Sequence, residues 1–223
     1  MRRLIIAAAV LALSAGSALA HFAYLVPSQG KVQIVLSENL KPDEDVDIAI
    51  LEQARFFARD AAGHETPLAL HKQDHALESQ YPEVKTALLH GSCEAGVMQR
   101  DKIKPFLIRY YPKSIVGNPL AAKTTLGGET PVELIAVGTP GALKFQALIK
   151  GKPAGKVDVT VLLPDGKSQK VVADAEGMTA AFTAPGQYAA WFKTTEPAEG
   201  EAGGEKYEEI RTYATLVITV PAP

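Results

Sequence analysis

Histidines are the residues of this chain best suited to chemistry, and the first of its five stands at a telling position. His21 directly follows Ala18-Leu19-Ala20, a small-residue pattern of the kind a signal peptidase cuts. Cleavage after Ala20 would leave a free N-terminal histidine. Its α-amine and ring Nδ1 can then close a chelate on one metal ion without another side chain, a donor pair suited to Cu(II) or Ni(II). A second imidazole from the folded body would complete a three-nitrogen set, the histidine brace. His90 and His75 are the expected companions, with His71 behind them. His71 and His75 are four apart and can share a face of a helix or a strand, although Lys72-Gln73-Asp74 between them reads as an exposed loop. His90 closes the apolar run Ala87-Leu88-Leu89 ahead of Gly91, where a half-buried imidazole needs a partner. A solvated surface role without metal is the competing reading for each body histidine.

Other reactive types point elsewhere. Cys93 is the sole cysteine, so no intrachain disulfide forms; a small buried hydrophobe is the first reading and a thiolate ligand the second. The acids of Pro42-Asp43-Glu44-Asp45 read as a solvated helix start before a short helix over 48–54, with a hard cation as the alternative. Tyr110, Tyr111 and Trp191 read as packing residues, and Glu196 to Glu205 as an acidic, flexible, glycine-containing loop. Nothing resembles a Ser-His-Asp or Cys-His arrangement, a paired-carboxylate hydrolase or a phosphate-binding glycine loop. The expectation is therefore a binding protein and not an enzyme. A copper-dependent oxidase acting on polysaccharide, which also begins with an exported histidine on a β-sandwich, is a third reading.

The elements that must position these residues follow from pattern. Arg2 and Arg3, the apolar run Leu4 to Leu13, and the small residues Ser14 to Ala20 form a signal peptide over 1–20. That apolar run is too short to span a bilayer comfortably and no stop-transfer segment follows, so a periplasmic or secreted address is expected. Its removal leaves about two hundred residues and shifts the formal charge from −2 to about −4 by the loss of Arg2 and Arg3. With 47% apolar residues a sizeable core can form, and no basic stripe suggests nucleic acid. Short runs at 22–26, 31–36, 55–59 and 104–113 read as strands. So do 132–137, 143–149, 157–163, 170–173, 178–182, 187–193 and 207–220, separated by turns such as Pro164-Asp165-Gly166 and Pro185-Gly186. The expected fold is all-β: two β-sandwich domains of immunoglobulin-like type, 21–117 and 131–223, joined by a linker over 118–130.

His21-Phe22-Ala23-Tyr24-Leu25-Val26-Pro27 after a signal peptide resembles an exported bacterial family, a domain of unknown function often described as a nickel-uptake transporter component. The resemblance continues through Phe57-Ala58-Arg59-Asp60, Glu65-Thr66-Pro67-Leu68, Gly96-Val97-Met98-Gln99 and Lys104-Pro105-Phe106-Leu107 with Tyr110-Tyr111-Pro112-Lys113. It ends in Lys206 to Val217 and so spans almost the whole mature chain. One departure stands out: where the family often carries a histidine, this chain has Thr212. Gly151 to Tyr188 also resembles the transthyretin-like, carboxypeptidase-regulatory β-sandwich, which implies fold and not activity. The resemblance implies a nickel-uptake association, and with the donor chemistry of His21 the expectation is a periplasmic nickel- or copper-binding protein working beside a membrane metal transporter. A metal-independent module binding a protein or glycan is the alternative.

Overall fold

A computed structural model describes residues 21–82, 86–120, 124–139 and 141–222; the expected signal peptide and linker residues 121–123 lie outside the described residues. In Lys31 to Ser37, Val32, Ile34 and Leu36 alternate on the buried face, as their period of two requires. This strand, β2 (Lys31–Ser37), pairs antiparallel with β1 (Phe22–Ser28) through Gln29-Gly30, both at positive φ, the backbone that a two-residue hairpin loop demands. With β5 (His71–Gln73) and β6 (Ala76–Gln80) they form a sheet in the order β1-β2-β6-β5. A second small sheet, order β11-β10-β9, comprises β9 (Val132–Thr139), β10 (Ala142–Ile149) and β11 (Lys152–Pro153).

Between them runs an eight-stranded sheet built from both halves of the chain. The first half supplies β3 (Arg55–Asp60), β4 (Glu65–Pro67), β7 (Thr86–Arg100) and β8 (Ile103–Ile115). The second supplies β12 (Asp158–Leu162), β13 (Ser168–Val172), β14 (Gly186–Ala202) and β15 (Glu205–Val220). The order is β13-β12-β14-β15-β8-β7-β3-β4, and the halves meet where β8 and β15 pair in parallel from Phe106/Glu209 to Ser114/Val217. Ala189 and Val217 face one core, with Tyr24, Ile34, Leu51 and Tyr110. Their neighbours Ala190, Leu216 and Ile218 face the other, with Phe145, Val159 and Phe192. The molecule is thus all-β, two sandwiches sharing a central sheet that is covered on both sides. Double burial is why Ala214 to Ile218 reads as an almost unbroken apolar run.

The expected division at 118–130 separates the two small sheets along the chain, but the shared sheet crosses it. A buried ion pair crosses it too: Lys113 on β8 and Glu133 on β9 are each 2% exposed. Lys113 Nζ also donates to the Thr124 carbonyl at 2.9 Å, and Glu133 accepts from the Leu126 N–H at 2.8 Å and the Thr125 hydroxyl at 3.1 Å. Hydrogen bonds to both partners support the pair, the condition under which buried charge is tolerated.

Three expectations change. The helix is one turn, α1 (Ala49–Glu52), shorter than 48–54. Residues 178–182 contribute isolated bridges at Met178 and Phe182 instead of a strand. Glu196 to Glu205 is not a loop: β14 and β15 continue as a paired arm closed by Gly203-Gly204, both at positive φ, with a bulge between Pro197 and Gly200. Glycines read as flexibility there supply a tight hairpin turn. No helix among the described residues is long and apolar enough to cross a membrane.

Candidate functional site

His21 sits immediately before β1, and its neighbours pin that end of the strand to the central sheet. Tyr110 donates its hydroxyl to the His21 carbonyl at 2.9 Å, and Thr215 donates to the Ala23 carbonyl at 2.7 Å. Phe22 stacks on Trp191 with ring centroids 4.2 Å apart and lies 5.6 Å from Tyr213. The imidazole, 21% exposed, places Nε2 2.9 Å from Asp43 Oδ2. The His21 hydrogen bond, helped by the Asp45 N–H, holds the Asp43 carboxyl below its ordinary range. An ionised carboxylate can only accept, so Nε2 carries the hydrogen. In the neutral ring Nδ1 then keeps its lone pair.

Asp43 was legible only as part of an acidic helix start. Its partner lies 22 residues away, and no local pattern signals that contact. Tyr110, read as packing, both packs and anchors His21.

The other predicted ligands spread out. His75 occupies the turn between β5 and β6 and is close enough for its charge to bear on Asp43. His75 lines a depression with Glu44, Asp45, Asp47 and Asp74. His71 lies on the exposed strand β5, and His64 pairs with Asp60 at 3.0 Å on the surface. His90 lines a different cavity from His21. Among the described residues, no three His, Cys, Asp or Glu side chains converge as a metal-holding group. The Cys93 thiol is buried, donates to the Ile50 carbonyl at 3.4 Å, and is pushed by burial up to about 12, so it stays protonated. Thr212 alternates with Arg211 and Tyr213, which face the His21 cavity, and so points to the opposite side of the sheet. A histidine there would not have reached His21.

The His90 corner is ionic and internally matched. Gly91 lets β7 cross close to β3: a Cβ there would lie 2.3 Å from the Arg55 carbonyl oxygen. His90, 15% exposed, stacks on Phe57 at 5.7 Å and places Nε2 2.7 Å from Glu65 Oε1. The contact is ion-pair close without hydrogen-bond geometry, and Arg59 donates to the same oxygen at 2.6 and 3.0 Å. Arg59 also pairs with Glu129. Burial holds the His90 imidazole below its ordinary 6.5, against the pull of Glu65. Lys113 and Glu133 line the same cavity, of about 250 Å³.

No protein-family model matches the chain, and no curated protein matches it. Among solved structures, a two fibronectin type-III domain segment from chicken tenascin is similar at 12% identity, over 86% of this chain and 97% of that one. Its TM-score is 0.20, so nothing about this chain's topology or function rests on it.

Proposed function

We propose that the chain, cut after Ala20 and exported, is a transition-metal-binding protein that holds Ni(II) or Cu(II) at its N-terminal histidine and works in metal uptake or homeostasis. The observation that supports this is the His21–Asp43 contact at 2.9 Å. A ligating imidazole commonly donates its other N–H to a carboxylate, which fixes the tautomer and raises the basicity of the donor nitrogen. Asp43 occupies that role for Nε2 and leaves Nδ1 free to ligate together with the amine that cleavage would expose. The Tyr110 bond to the His21 carbonyl limits backbone motion at the same residue. Two adjacent nitrogens fill two positions of a square-planar ion and leave the others to solvent or to a partner's donors. That suits a protein that passes metal on, for instance to a membrane transporter. His75, in the turn between β5 and β6, is the expected companion.

The test is calorimetric titration of Ni(II) and Cu(II) into protein whose first residue is His21, beside its His21→Ala variant. One equivalent should bind to the former, more weakly as pH falls because both nitrogens must shed protons. Equal binding by the two, or none by either, overturns the proposal.

A further inference from the structure

The chain is acidic overall, yet the cavity of about 420 Å³ next to His21 is lined by Arg100, Lys193 and Arg211 and by no carboxylate. It lies over one face of the central sheet. Alternation brings Lys193, Tyr213 and Tyr110 side by side across β14, β15 and β8, with Arg211 beside Ile108 one step along. Its walls are aromatic and apolar, chiefly Trp191, Tyr213, Phe106 and Met98. Arg211 is already engaged: its Nε donates to Glu209 at 2.6 Å, and its guanidinium lies 3.5 Å from the centre of the Phe106 ring. Arg100 and Lys193 differ, since among the described residues neither is ion-paired with a carboxylate. Both are exposed at the rim.

We propose that this cavity is a binding site for an amphiphilic organic anion, its head group drawn by the uncompensated charge of Arg100 and Lys193 along the rim and its apolar body laid on Trp191, Tyr213, Phe106 and Met98. The volume lies within the range of small-molecule sites, and a few placed charges on an apolar wall are the usual composition of such sites. Cations with no partner of their own prefer an anionic head group over a neutral or cationic one. The site stands on these residues and needs no metal at His21.

Metal-free protein, starting at His21, is titrated by calorimetry in Tris buffer with 4-phenylbutyrate, 4-phenylbutanol and 4-phenylbutylamine, which share one body and differ in head group. The carboxylate should bind at least about tenfold more tightly than the amine, with the alcohol between them. The double variant Arg100→Gln/Lys193→Gln, whose altered positions are exposed, should lose that preference while keeping the parent melting temperature. Equal affinity for carboxylate and amine, no binding of any probe, or a preference unchanged in the double variant overturns the assignment. Because no metal is present, failure here leaves the His21 chelate standing, and failure of the chelate leaves this site standing.

Discussion

Two half-buried imidazoles in this molecule each lie against a carboxylate, His21 at 2.9 Å from Asp43 and His90 at 2.7 Å from Glu65. Their surroundings are opposite. Around His90 every strong charge meets its counter-charge inside the protein: Arg59 with Glu65 and Glu129, Lys113 with Glu133. Around His21 the ring is paired with Asp43 and Arg211 with Glu209, while Arg100 and Lys193 face a cavity without carboxylates. A histidine–carboxylate pair by itself therefore says little about function. What differs is whether the neighbouring charges are closed on themselves, as a structural clamp is, or left open toward something outside the chain.

Breaking the closed corner should cost the most. Lys113→Met strands Glu133 among buried neighbours and should lower unfolding free energy by about 3–5 kcal/mol in urea denaturation. Lys113→Met/Glu133→Leu, which removes both charges, should recover most of that loss. At the open corner the effect should fall on binding. Asp43→Asn removes the anion that orients Nε2 and should weaken Cu(II) affinity by about ten- to a hundredfold. Glu65→Gln, the corresponding change beside His90, should leave metal affinity unaltered in the same titration, and a comparable loss there would erase the distinction.

The smallest effect concerns pH. His90 is held below 6.5 when folded, so as pH falls through and below that value the unfolded chain takes up a proton the native protein resists. Stability at this site is full above about pH 7 and declines as pH drops toward about 5, above the range in which carboxylates titrate. Urea midpoints measured across that window should fall with acidity in the parent and flatten in His90→Gln; an unchanged slope would show that His90 does not carry it.

Much of the fold was readable because its signals are local. Alternation in Lys31 to Leu36 specifies the strand as expected, and the turn signal at Pro27-Ser28-Gln29-Gly30 marks the first hairpin, although Pro27 and Ser28 pair within β1 and only Gln29-Gly30 forms the loop. The central sheet was not readable as one body, since parallel pairing of β8 with β15 joins residues about a hundred apart and leaves no local mark. The arm of β14 and β15 was hidden by its acids and glycines, which in isolation describe a solvated loop equally well. At the site, His21 was conspicuous by position alone. Asp43 was masked by neighbouring acids, and His90's partner came from β4, across the intervening strand β3. Arg100 and Lys193 carried no motif at all; their meaning comes from the absence of carboxylates around a shared cavity.

The most direct test of the N-terminal chelate changes no side chain. Protein beginning at His21 is titrated with Cu(II) beside protein carrying one added glycine before His21, both N-termini confirmed by mass. The extension turns the α-amine into an amide while leaving the ring, Asp43 and the fold in place. Affinity should drop by more than about a hundredfold, beyond what loss of an outer carboxylate causes. Equal affinity in the two would contradict the chelate and place metal binding, if any, elsewhere on the chain.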